Sequence, residues 1–152
     1  MKQRALNEQT DYDADFYAWT QETAESICRG AFDRIDREHL AEEVADMGKR
    51  DKREVRSRMT VLMMHLLKWQ AQPELREKSS WRATIIEQQE QLELLFEDSP
   101  SLYQTADHDL PSIYSRAVKR AAAETGRAAE TFPGECPYSL DELLEMDLSS
   151  LK

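Results

Sequence analysis

Apolar residues recur every three or four positions over most of this chain, the period of helices that bury one face. The longest such run lies between Asp36 and Gln70, where Leu40, Val44, Met47, Val55, Met59, Leu62, Leu66 and Trp69 form one stripe that is broken once, by Asp51. A straight helix of that length measures roughly 52 Å at 1.5 Å per residue, against a globule of roughly 40 Å expected for a chain of this size. The helix is therefore expected to bend, to protrude or to help build an oligomer. Gly48 is its weakest point, because Gly costs a helix interior about 1 kcal/mol relative to Ala. The other use for a glycine there is to admit a second helix at close range.

The remaining punctuation divides the chain into further helices. A first helix is expected to start at Asp13 as N-cap, to carry Phe16, Trp19, Thr23 and Ile27, and to stop at Gly30, which suits a left-handed C-terminal turn. Pro73 ends the long helix, and Ser79 or Ser80 opens a third one with Trp81, Ile85, Leu92 and Leu95 or Phe96 on its inner face. Asp98, Ser99 and Pro100 close it. Asp109 and Pro111 then read as the start of a fourth helix carrying Leu110, Ile113, Tyr114, Ala117, Val118 and Ala121 as far as Gly126, since Pro is favoured at a first helical turn. That leaves 104–109 as a turn and His108 in a loop. Two prolines and a glycine make 131–137 an extended arm packed through Phe132, Cys136 and Tyr138, and Ser139 with Glu142 forms a capping box for a short last helix. The fold class predicted is all-α, with no strand: a bundle of about four main helices with one long central helix, plus a C-terminal arm and short helix. Residues 1–152 are expected to form a single helical domain in which 1–10 are a flexible N-terminal tail.

Composition supports a soluble helical globule: 40% of residues are hydrophobic, 33% are charged, and there are only four glycines and five prolines. A net charge of −10 disfavours nucleic acid and anionic membranes as general partners, because both are bound through Lys and Arg. Two cysteines, Cys28 and Cys136, match neither a redox pair nor a zinc pattern, and no apolar run approaches the length of a spanning helix. Free thiols and a cytoplasmic location are expected, with no metal and no cofactor.

The strings DFYAWT, DREHLAEEV, MGKRDKRE, HLLKWQ, SWRATI, DSPSL, AAAETG and FPGECPYS occur in that order along the chain. Together they resemble a bacterial family known as domain of unknown function family 29, over about residues 11–148. The resemblance implies an all-helical, cytoplasmic bacterial protein. It carries no catalytic role over to any residue.

Three constellations remain for chemistry. Between Lys49 and Arg58 six basic residues face only Asp51 and Glu54, and Lys49, Lys52, Arg53 and Arg56 fall within an arc about 100° wide on the helix. They are candidates for binding an acidic partner, or nucleic acid as a third reading; a solvated face tied by Asp46–Arg50 and Glu54–Arg58 pairs is the plainer one. Asp51, Arg58 and His65 repeat every seven residues on or beside the apolar stripe, with Glu54 next to Arg58. These four are candidates for a ligand or proton-transfer pocket, or for a network satisfied from a facing helix by Gln88, Gln89 or Arg82. His39 with Glu42 and Glu43 is a single His-carboxylate cluster, too few ligands for a helical metal site. With no phosphate-cradling or nucleophile motif, the function expected is a protein-interaction or regulatory module. It would work through helix 36–70 against another protein or a second copy of itself. The alternative is an enzyme or small-ligand-binding protein built on Asp51, Glu54, Arg58 and His65.

Overall fold

A computed structural model describes residues 10–151, and it divides the chain into two compact units, Met1–Gly48 and Lys49–Lys152. Most of the stretch read as an N-terminal tail, residues 1–9, lies outside the described residues. Thr10 does not belong with it: the residue is buried, and its backbone N–H and hydroxyl both donate to the Glu22 carboxylate.

In the first unit, α1 spans Phe16–Cys28 and is capped by Asp15, whose Oδ1 accepts from Ala18 N at 3.0 Å. The cap is not Asp13. The backbone N–H groups of Ala14 and Asp15 both return to the Asp11 carbonyl, and Asp13 N donates to Asp11 Oδ1. A turn therefore occupies residues 11–15 and postpones the helix. Gly30 closes α1 as expected, at φ 71°, with Gly30 N donating to Ile27 O and Ala31 N to Ser26 O. That bond pair is the Schellman pattern, which needs a left-handed residue. A 3-10 turn at Phe32–Arg34 leads to α2, Arg37–Ala71, whose cap is Asp36 accepting from His39 N at 3.2 Å.

Helix α2 runs unbroken through Gly48, and a Cβ built there would meet nothing within 4 Å. Among the described residues the glycine therefore serves no close helix contact. The apolar stripe is also not buried throughout: Val44 is 59% and Met47 60% exposed, whereas Val55, Met59, Leu62, Leu66 and Trp69 are buried. Periodicity located the face but not the point along the helix where burial begins.

The second unit packs the C-terminal part of α2 against α3 (Trp81–Asp98), α4 (Ser101–Thr125) and α5 (Leu140–Glu145). From Met59 to Trp69 burial reaches beyond the stripe to Thr60, Met63, Met64 and Leu67, so the HLLKWQ string runs through the middle of the core. Trp81, Ile85, Leu92 and Phe96 give α3 its inner face, and Ile113, Tyr114, Ala117 and Ala121 do the same for α4.

Helix α4 starts at Ser101, ten residues before Pro111, and Pro111 lies inside it. The expected turn at 104–109 is helical and His108 is an exposed helical residue. An internal proline costs a helix about 3 kcal/mol through its missing donor and a clash with the preceding turn. Here Leu102, Ala106, Leu110 and Ile113 carry one buried or half-buried face across the proline, and that burial outweighs the local cost. Gly126 ends α4 at φ 69°.

A 3-10 turn at Ala129–Thr131 precedes the arm, where Phe132 is buried and Tyr114 Oη donates to Pro133 O at 2.7 Å. The capping box of α5 is complete, with Glu142 N on Ser139 Oγ at 3.2 Å and Ser139 N on Glu142 Oε2 at 2.7 Å. Buried Gln89 donates its amide to the carbonyls of Leu143 (2.9 Å) and Met146 (3.1 Å). It thereby satisfies acceptors at the open end of a helix only six residues long. Among the described residues there is no strand, and no helix is long and apolar enough to cross a membrane.

Candidate functional site

The polar seam on α2 does not close into one cluster. Arg58 places Nε and Nη2 on Glu54 Oε1 at 2.9 and 2.8 Å and donates Nη1 to Gln88 Oε1 of α3 at 3.3 Å. His65 turns Nδ1 to its own helix, 2.8 Å from Val61 O. A carbonyl only accepts, so Nδ1 carries the proton. Asp51 is exposed. The seven-residue spacing put the three on one face, but Arg58 and His65 bond to different partners and Asp51 faces solvent. The Glu54–Arg58–Gln88 chain has the form of a satisfied helix-to-helix network.

The basic stripe divides as well. Lys52 Nζ lies 3.2 Å from Asp109 Oδ2 of α4, and half-buried Arg56 adds its field at the same carboxylate. The Asp109 pKa is held below the ordinary carboxylate value by the bond from His108, then by that from Lys52 and by the Arg56 charge. Arg53 and Lys49 are exposed. Lys52 thus pairs inside the second unit, and Arg56 acts on the same carboxylate through its charge.

In the first unit Phe16, Trp19 and His39 gather on Tyr12. Its ring stacks on His39 with centroids 4.1 Å apart, and meets Phe16 and Trp19 edge-on at 5.5 and 5.0 Å. Its hydroxyl donates to Glu43 Oε1 at 2.5 Å, which pushes the Tyr12 pKa up to about 12, since ionisation would set two anions together. His39 Nδ1 is 2.6 Å from Asp36 Oδ2; that bond raises the imidazole pKa and lowers that of the carboxyl. His39 and Glu43 are thereby committed to Asp36 and Tyr12, while Glu42 is exposed. Among the described residues no group of three or more His, Cys, Asp and Glu could hold a metal ion.

Sequence reading missed this cluster. The helix start at Asp36 was legible, but the contact from Tyr12 to Glu43 spans 31 residues and has no local signal. Tyr103 and Asp141 are a second such pair, 2.5 Å apart, with the phenol pushed up to about 12 by that bond.

A groove of about 1010 Å³ runs between α4 and the arm, lined by Leu110, Pro111, Tyr114, Val118, Phe132 and Cys136 among others. Burial pushes the Cys136 thiol up, away from the thiolate that nucleophilic chemistry requires. Its Sγ lies 3.3 Å from Tyr138 O, in the role of a packed donor.

The most conspicuous surface lies in the first unit. Of nine large hydrophobic residues exposed among those described, six fall before Lys49: Phe16, Tyr17 (74%), Ile27, Phe32 (63%), Val44 and Met47. Large apolar side chains are more often exposed in this unit than in the second, where only Leu75, Ile86 and Leu94 are.

Comparison with known proteins agrees with the architecture. The chain is similar to an alpha-helical protein of unknown function from Rhodospirillum rubrum, known from a crystal structure, at 26% identity, with 93% of each chain covered and a TM-score of 0.61. No curated protein matches it. Residues 12–149 match the family described as domain of unknown function DUF29, and the chain belongs to that family.

Proposed function

We propose that this protein is a protein-interaction module that engages its partner through the N-terminal half of α2. One observation carries the reading: the apolar stripe of α2 continues through Leu40, Val44 and Met47, yet Val44 and Met47 are solvent-exposed. Each such side chain gains about 1.5–3 kcal/mol when it is buried, and helix-in-groove recognition uses anchors at this three- and four-residue spacing. The basic residues Lys49, Lys52, Arg53 and Arg56 follow directly on the same helix. With Lys52 drawn to Asp109, their role is secondary to that of the apolar face.

Photo-crosslinking in the living cell tests this. A benzophenone side chain at position 44 or 47 is expected to trap a protein, while the same probe at Leu94, an equally exposed apolar residue of α3, traps far less. Equal yields at positions 44, 47 and 94 would remove the reading.

A further inference from the structure

The partner's chemistry can be taken further, on the reading just given. Placed at about 100° per residue, Met47, Leu40, Val44, Gly48, Ala41 and Ala45 cover one continuous arc of α2 about 160° wide. Ala41, Ala45 and Gly48 are exposed, and Gly48 has open space around it. An apolar ridge therefore runs beside a shallow furrow of small residues, the relief into which a second helix packs its own ridge.

Carboxylates edge this arc on both sides. Exposed Glu38 and Glu42 lie beyond Ala45. Half-buried Asp46 and Glu43, the latter holding the Tyr12 hydroxyl, lie beyond Met47, so the docking charge is supplied mainly by Glu38 and Glu42. The whole stretch from Thr10 to Gly48 holds eleven Asp and Glu against three Arg. An apolar face edged by the exposed carboxylates of Glu38 and Glu42, in a stretch this acidic, selects an occupant with the opposite pattern.

We infer that residues 40–48 of α2 are the docking site for a basic amphipathic helix of another protein, apolar along one face and flanked by Lys or Arg. Residues 10–48 of a second copy are a poor occupant, because their eleven carboxylates would meet the same eleven. Nucleic acid is repelled by the same charge.

The probe is a fluorescein-labelled synthetic peptide of about 18 residues, with Leu at i, i+3, i+4 and i+7 and Lys elsewhere. It is titrated with the full chain in an anisotropy assay. The peptide is expected to bind and to bind less tightly as salt rises. Affinity should fall at least about tenfold for Val44→Ser/Met47→Ser, and less, with a flatter salt dependence, for Glu38→Gln/Glu42→Gln. All these residues are exposed, so both variants should melt with the wild type; should the first melt early, the second alone decides. A scrambled peptide of the same composition that binds equally well would overturn the proposal, because charge alone would then suffice. So would equal binding of a Leu/Glu peptide, or no binding of the Leu/Lys peptide at all. A wild-type dimer in sedimentation that Val44→Ser/Met47→Ser dissolves would identify a second copy as the occupant and also overturn it. If crosslinks form at positions 44 and 47 while the peptide fails to bind, the interaction surface stands and only its basic partner is refuted.

Discussion

Two methionines on one helix offer the sharpest test of where α2 is buried. Met59 is 1% exposed and belongs to the core of the second unit; Met47, twelve residues earlier on the same stripe, is 60% exposed. Met59→Ala removes a side chain surrounded by packed neighbours and leaves a cavity, at a cost of about 2–5 kcal/mol. Met47→Ala removes contacts with water and replaces one good helix former with a better one, so its effect should lie within about 0.5 kcal/mol of zero. For a chain of this size about 1 kcal/mol corresponds to roughly 2–4 °C in Tm. The first variant should thus melt roughly 4–20 °C early and the second with the wild type. Thermal and urea unfolding followed by circular dichroism and by tryptophan fluorescence would report both units, with Trp19 in one and Trp69 and Trp81 in the other. A loss above about 1.5 kcal/mol in Met47→Ala would refute the argument, because it would mean that the N-terminal half of α2 is covered in the free protein.

Two further outcomes follow from backbone and charge. Gly126→Ala puts a Cβ at φ 69° and should cost about 1–2 kcal/mol, whereas Gly48→Ala, inside α2 with open space around it, should stabilise by up to about 1 kcal/mol; equal effects in chemical denaturation would contradict the assigned conformations. The Asp36–His39 pair sets a pH window. His39, with its pKa raised in the fold, contributes stability fully below the unfolded value of about 6.5 and loses it as pH rises through the folded value. Asp36, with its pKa lowered, contributes above about 3.9 and loses that as pH falls. The contribution is largest from about pH 4 to pH 6.5, and a Tm profile of Asp36→Asn should lack this rise while the wild type shows it.

What could be read in the sequence was whatever a few neighbouring residues decide. Gly30, Gly126 and the Ser139–Glu142 box act within one turn, and each stands where it was expected. Pro111 misled because its local preference for a helix start was overridden by burial running from Leu102 to Ile113, a balance no short window contains. Val44 and Met47 misled for another reason: the three- and four-residue spacing is the same where a helix face is packed in a core and where it stands exposed. The seam of Asp51, Arg58 and His65 was visible as a periodicity, but which groups bond is decided by α3 and by the helix's own carbonyls. In the Tyr12 cluster, the contacts to His39 and Glu43 are tertiary and left no trace in the pattern.

The amide of Gln89 has a kinetic consequence. A six-residue helix does not persist alone in water, so α5 survives only while Leu140 and Leu143 stay seated and Gln89 holds the carbonyls behind them. Detachment would strand two buried donors and uncover apolar surface in one event, so that opening has no low-cost partial form. The amides of α5 and Met146 should therefore exchange their hydrogens with one shared rate, as a clasp that is either shut or lost.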